Sequence, residues 1–222
     1  PPATNDCRLQ ISPCKDEIMT VTVYDCPLPL LGFAAYSGTG KTTLLKQLIP
    51  LLRQQGFRIG MIKHAHHRFD VDTPGKDSYE LRHAGAGQML IASGHRWALM
   101  TETPDAEEEP SLNDLINRLD LRTIDLVLVE GFRHLPFPKI ELARPCLGKV
   151  PLHLYDPHII AVATDQRGTG SPHLPELDLN NPEEIADFVA DFALSRWKQG
   201  PLPAAPTANL AALAHPTVLV EK

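Results

Sequence analysis

The chain has 222 residues, 43% of them hydrophobic, enough to bury one good-sized core with tails to either side. Its formal net charge of −6 argues against a general nucleic-acid binder, which needs a basic face. No run of 18 apolar residues is present, so no transmembrane helix is implied.

Residues 1–28 mix prolines and charges without sustained periodicity and read as a flexible tail or as a small appended strand over Met19 to Tyr24. The chain starts without Met and lacks a charged-then-apolar leader pattern, which is compatible with a fragment. Cysteines stand at 7, 14, 26 and 146, and Cys7 and Cys14 are too far apart for a CxxC unit. Free thiols are expected, as in a cytoplasmic protein. A zinc site built from the first three would need a fourth ligand that the sequence does not place.

The chemistry starts at Leu30–Ala35, an apolar run leading into Tyr36-Ser37-Gly38-Thr39-Gly40-Lys41-Thr42-Thr43 and then into helical spacing. Strand, small-residue loop and helix in that order make a phosphate-binding loop. Gly38 and Gly40 let the backbone turn its amides inward, and the helix adds the positive end of its dipole. Lys41 is placed to neutralise the outer phosphates, and the Thr42 hydroxyl to sit on Mg²⁺. The pattern G-x-x-x-x-G-K-[ST] wants glycine at 35, where this chain has Ala35, at the position least crowded by phosphate. A plain strand-to-helix turn would leave Lys41 and Thr42 unexplained.

Leu44, Leu45, Leu48 and Leu51 share one helix face before Gly56 stops the helix. Residues 57–63 read as a second strand, parallel to the first through a βαβ crossover. The stretch 63–78 that follows is dense in histidine and aspartate, at a strand end, where open α/β sheets hold ligands. A transition-metal site drawn from its three histidines, His64, His66 and His67, and two aspartates is one reading, with His64 and His66 projecting from one side of an extended segment. The other, preferred because no closed ligand set is evident, is a switch-like loop in which Lys63 and His64 meet phosphate or an acidic ligand. Asp70 or Asp72 would then hold Mg²⁺ through water.

Lys76 to Ala84 reads as a helix, and Gln88–Ser93 with Arg96–Thr101 as a hairpin turning at Ser93-Gly94. Residues 103–110 form an acidic, proline-bounded connector, and Ser111 caps a helix carrying Leu112, Leu115, Ile116 and Leu119. Ile124 to Gly131 is a nearly continuous apolar strand ending in Glu130, where a Walker B acid reaches Mg²⁺ or its water. Asp125, at the opposite end of that strand, reads as a surface or capping carboxylate. Lys139 to Arg144 is a short alternating strand, and His158 to Asp165 is another buried one. In many GTP-binding proteins an aspartate after such a strand accepts from the guanine edge. Of Asn-Lys-x-Asp only Asp165 is present, so an ordinary loop aspartate is the alternative. A last helix starts at Pro182, and the end of the chain is a Pro/Ala-rich tail or linker. The sequence therefore predicts an α/β, P-loop NTPase-type domain over 29–198, a mostly parallel sheet flanked by helices with an inserted β-hairpin. The N-terminal extension (1–28) and the tail (199–222) lie on either side.

Residues 34–45, Ile62-Lys63-His64-Ala65-His66-His67, Pro74-Gly75-Lys76-Asp77-Ser78, Arg96 to Thr103 and Leu128 to Phe132 together resemble the MobB family. These are molybdopterin-guanine dinucleotide biosynthesis adapter proteins, and the resemblance runs over about residues 29–196. It implies a GTP-binding homodimer with weak GTPase activity that assists the guanylyltransferase MobA. By that resemblance Ala35 is no departure. By it Lys41 and Thr42 carry over as phosphate and Mg²⁺ contacts, Glu130 as the acidic strand-end residue, and the histidine and Pro-Gly-Lys-Asp-Ser segments as the face near nucleotide or partner. The reading of the residues themselves adds Ser37, Gly38, Thr39, Gly40, Thr43, Lys63, His64 and Asp165 to the GTP site, and Asp72 to Mg²⁺ beside Thr42 and Glu130. No catalytic base stands out. A P-loop small-molecule kinase using ATP or GTP is the alternative, with Asp70, Asp72 or Glu130 as its base. A partitioning-type ATPase is disfavoured by Tyr36, where a second lysine belongs.

Overall fold

A computed structural model describes residues 26–65, 69–103, 109–168 and 172–199. The expected Met19–Tyr24 strand, His66 and His67, and most of the tail lie outside the described residues. Six parallel strands form the main sheet: β1 (Leu30–Ala35), β2 (Ile59–Lys63), β3 (Leu126–Glu130), β4 (Lys139–Ala143), β5 (Ile159–Thr164) and β6 (Glu176–Asp178). Their order across the sheet is β2-β3-β1-β4-β5-β6. β1 is therefore central, with Leu31 opposite Leu128 on one side and Phe33 opposite Ile140 on the other.

Both faces of this sheet are covered, which is why β1 and β3 read as continuous apolar runs. On one face lie α1 (Lys41–Gln54) and α4 (Pro182–Gln199). Leu44, Leu45, Leu48 and Leu52 of α1 and Ile185, Ala186, Val189 and Ala193 of α4 close over Leu31, Phe33, Leu126 and Leu128. Leu52 completes the α1 stripe where the sequence pointed to Leu51. The spacing 44-48-52 stays on one face, while Leu51 is only partly buried. Gly56, at φ 95°, ends α1: its N–H bonds Arg53 O and the Phe57 N–H bonds Leu52 O.

The opposite face is covered by α3 (Leu112–Ile116), with Leu112 and Ile116 on Val127 and Val129. Ser111 and Asp114 form a reciprocal capping box at its start. α3 is shorter than its apolar spacing predicts; Leu119 follows in a turn and still packs on the same cluster. Gly32 is needed here, because a Cβ would lie 2.6 Å from Phe137 and 2.8 Å from the Lys139 chain.

The expected helix and hairpin are present as α2 (Asp77–His83) and a separate antiparallel pair, β7 (Gln88–Ala92) with β8 (Trp97–Thr101). β6 was not anticipated. With three residues it is too short to show alternation, yet it delivers Leu177 to the core. No helix among the described residues is long and apolar enough to cross a membrane.

Candidate functional site

The glycine loop leaves the central strand at the carboxyl edge of the sheet, where the topology places a ligand. Gly38 and Gly40 adopt φ 82° and 99°, a region that L side chains rarely occupy. Thr39 is buried between them, its Oγ1–H donating to Tyr36 O at 2.8 Å, which closes the loop on itself. Gly40 is the α1 cap residue and makes no side-chain cap bond, and no acidic residue lies in the first turn. The first-turn amides therefore face outward with the helix dipole uncompensated, the electrostatic condition for holding an anion. Ser37, Gly38, Thr42 and Thr43 are exposed at the same place. These residues fit a polyphosphate with Mg²⁺, a cation that keeps several waters and needs few protein ligands.

Glu130 stands behind the loop at the end of β3. Its carboxylate lies 3.7 Å from Lys41 Nζ and 3.5 Å from Lys63 Nζ. Three predicted site residues from three elements thus meet at one point. Gly131 at φ 102° and Phe132 at φ 50° turn the chain sharply after Glu130. Any side chain on Gly131 would meet His64, since a Cβ there would lie 2.5 Å from the His64 Cβ. The His64 N–H donates to Glu130 O at 2.8 Å, and its ring stacks on Phe132 with centroids 4.4 Å apart. His64 Nε2 lies 2.7 Å from Glu109, and its side chain is 8% exposed. His64 thus packs the turn that carries Glu130 and presents little surface to a phosphate.

Asp72 lies in a different cluster. Its Oδ1 accepts from the Thr73 N–H and from Ser78 Oγ, and its Oδ2 is 3.9 Å from Arg82 Nε. Arg82 also pairs with Asp70 at 2.7 Å and with Glu102. Those carboxylates raise the Arg82 pKa, Glu102 first, and the Asp72 N–H, then Arg82, holds Asp70 below the usual carboxylate range. This cluster ties α2 to the 69–73 segment and the hairpin base, and brings Asp72 to Arg82 rather than to Thr42 or Glu130. Among the described residues no group of three or more His, Cys, Asp or Glu side chains gathers as a metal site.

Asp165, at the end of β5, accepts from Arg144 Nη1 at 2.6 Å, and Arg144 Nε donates to Thr39 O at 2.9 Å. Arg144 therefore links the β5 end to the backbone of the glycine loop. Sequence reasoning missed it, and the only available signal was a cation at the end of an alternating strand. Lys139 and Glu141 on the same strand were also passed over, although both are fully buried. Lys139 donates to Leu135 O and Phe137 O and pairs with Asp156 at 3.1 Å; burial pushes its pKa down. Glu141 accepts from the Leu152 and His153 amides and lies 2.7 Å from His153 Nδ1. Charges at alternate positions of a strand buried on both faces require such partners.

A parallel sheet with a glycine loop after its central strand, a lysine entering the helix and an acid on the neighbouring strand defines a P-loop NTPase-like protein. The family model for molybdopterin guanine dinucleotide synthesis protein B, MobB, matches residues 30–165, and the chain belongs to that family. It is 57% identical over 166 residues to the molybdopterin-guanine dinucleotide biosynthesis adapter protein of Escherichia coli, covering 74% of this chain and 93% of that one. The Haemophilus influenzae adapter protein is 44% identical over 175 residues, covering 79% and 95%. A crystal structure of molybdopterin-guanine biosynthesis protein B superposes with a TM-score of 0.56 at 27% identity, over 73% of this chain and 98% of that one. The Bacillus subtilis MobB structure gives 0.58 at 23% identity, over 74% and 98%, and shares the fold.

Proposed function

We propose that the protein is a GTP-binding adapter in molybdopterin-guanine dinucleotide biosynthesis, that it acts in the cytoplasm, and that it assists the guanylyltransferase MobA. The observation that carries the nucleotide part is the uncapped start of α1 behind two left-handed glycines, with Lys41 facing Glu130. Bound GTP would bring its phosphates to the 37–43 amides, with Lys41 turning from Glu130 toward them. Thr42 and Glu130 would hold Mg²⁺, directly or through water, and Lys63 would balance the charge. Guanine preference is assigned to Asp165, whose carboxylate is fixed beside the loop by Arg144. A carboxylate between two lysines is a poor general base, so any GTP hydrolysis is slow. Self-association as a homodimer is supported by the hairpin, where Leu90, Leu99 and Trp97 are 61%, 49% and 69% exposed.

Calorimetric titration with Mg²⁺-GTP and, separately, Mg²⁺-ATP tests this reading. GTP is expected to bind more tightly with little turnover, and Lys41→Ala to weaken it about 10- to 100-fold, the loss of a charge-assisted contact. A preference for ATP would favour a small-molecule kinase instead. Unchanged affinity in Lys41→Ala would remove the phosphate-loop assignment.

A further inference from the structure

A nucleotide held by both the glycine loop and Asp165 spans two strands that do not pair. β1, which feeds the loop, and β5, which ends at Asp165, are separated across the sheet by β4. Among the described residues no backbone hydrogen bond joins the loop to Asp165. β4 runs in register with both neighbours, Leu142 opposite Ala35 and Ala143 opposite Thr164. The first residue past it, Arg144, therefore emerges between the two contact points. Its Nε–H donates to Thr39 O at 2.9 Å and its Nη1–H to Asp165 Oδ2 at 2.6 Å. Nη2 lies along the same stretch of loop, 3.8 Å from where a Cβ on Gly40 would stand.

The bond to Thr39 O acts on the neighbouring amide. In a trans peptide the carbonyl and the N–H that follows it point in opposite directions, and no peptide bond among the described residues is cis. Holding Thr39 O toward Arg144 therefore turns Gly40 N–H away from it. That N–H donates to no backbone carbonyl among the described residues, so it is one of the amides left for an anion. The peptide needs an external hold, because the left-handed glycines at 38 and 40 leave it freer than other residues would. Thr39 is fixed from within by its Oγ1–H on Tyr36 O, and from outside by Arg144.

Stability is a poor explanation for this contact. The Arg144 and Asp165 side chains are 31% and 23% exposed, and an ion pair that open to water adds little to folding. An arginine instead offers donors at fixed angles in one plane, so placing it on Thr39 O places Asp165 as well. We propose that Arg144 is the positioning residue of the nucleotide site. By holding Thr39 O and Asp165 at once, it presents the Gly40 amide to phosphate and the Asp165 carboxylate to the base. The proposal rests on the nucleotide reading above and adds that phosphate grip and guanine preference depend on the same guanidinium.

The experiment is calorimetric titration of the full chain with Mg²⁺-GTP, Mg²⁺-ATP and Mg²⁺-tripolyphosphate, which has no base. The variants are Arg144→Gln, Arg144→Lys, Asp165→Asn and the Arg144→Gln/Asp165→Asn double. Arg144→Gln is expected to weaken GTP about tenfold, the loss of a charge-assisted contact, and ATP and tripolyphosphate by a smaller factor. Its preference for GTP over ATP therefore falls. Arg144→Lys keeps the charge but not the planar fork and should lose that preference too. Should the glutamine variant fail to fold, the lysine variant carries the same comparison. In the double variant Asp165→Asn should add less than about twofold, because a carboxylate no longer held contributes little. Equal losses for all three ligands would mean that Arg144 only stiffens the loop, and would overturn the proposal. So would full rescue by lysine, losses that multiply in the double variant, or an Arg144→Gln chain that binds GTP like the parent. A parent that binds none of the three ligands would be a different result: it would sink the nucleotide reading itself, and the proposal with it.

Discussion

The main sheet and the segment from 69 to 103 are built on opposite terms. In β3 every residue from Leu126 to Val129 is fully buried, and β1 is buried through Ala34. In α2, β7 and β8 no residue is buried at all. The sheet is held by apolar area removed from water, which explains how it can carry a loop at one edge without shifting. The 69–103 segment is held by strand pairing and by one arginine shared among Asp70, Asp72 and Glu102. A two-stranded hairpin is marginal by itself, so its apolar residues are useful chiefly when something covers them. The sheet supplies stability, and the hairpin supplies surface.

The difference is broken most directly by truncation in each region. Leu128→Ala removes a fully buried side chain from the core on the α1 and α4 face and is expected to cost about 2–5 kcal/mol. Leu99→Ala, in β8, is expected to stay within about 0.5 kcal/mol at low protein concentration. Urea denaturation of the two variants checks both, and equal losses would mean that the hairpin is part of the core.

A smaller effect separates two glycines. Gly131→Ala must place a side chain at φ 102° against His64, at a cost of about 1–3 kcal/mol, and the strain falls on the turn that carries Glu130. Gly87→Ala, just before β7, meets no atom within 4 Å and is expected to be near neutral. Thermal unfolding of both variants measures the contrast. A neutral Gly131→Ala would mean that the turn relaxes freely and that the Glu130 position is not fixed by it.

Smaller again is the Arg58–Asp125 pair at the edge of the sheet away from the loop. Asp125 accepts from the Arg58 backbone N–H at 2.8 Å, from Nε at 2.9 Å and from Nη2 at 2.6 Å. The Arg58 side chain holds its carboxyl below the usual carboxylate range, against desolvation. The unfolded chain therefore takes up this proton at a higher pH than the folded one. The contribution is complete above the ordinary carboxylate pKa and is lost as pH falls through the lowered folded value. With the Arg58 side chain 43% exposed, Asp125→Asn is expected to cost about 1 kcal/mol near neutral pH and less in acid. Denaturation curves near neutrality and in acid, parent against variant, give the sign. A cost that grows in acid would contradict it.

What the sequence revealed follows from how local each signal is. The glycine loop, α1 and β3 were legible because loop chemistry, helical spacing and a continuous apolar run each lie within a few residues. Gly56 as the α1 stop and Ser111 as the α3 cap were legible for the same reason. Lys139 and Glu141 were not. Charge alternating with apolar residues reads as a strand half in water, and it is cover from outside the strand, by the 135–137 turn just before it and by residues 152–156 after it, that buries them. Arg144 was missed because its partners, Thr39 and Asp165, are 105 and 21 residues away. His64 was assigned to ligand from its neighbours in sequence, whereas its ring lies on Phe132, reached only through the parallel pairing of β2 with β3.

The smallest expected effect on the folded monomer is the most informative about the hairpin. Trp97 is 69% exposed and pairs across the hairpin with Ala92, so nothing among the described residues needs the indole. Trp97→Ser should therefore change the unfolding free energy of dilute protein by no more than about 0.5 kcal/mol. If a second copy covers the hairpin, the same change exposes a polar group where an aromatic anchor was buried, and aromatic anchors dominate such contacts. Sedimentation velocity over a range of concentrations separates the two. Loss of a dimer with monomer stability retained would assign the exposed strand residues to self-association. A parent chain that stays monomeric at every concentration would remove the homodimer from the proposal and leave the hairpin as a face for a different protein.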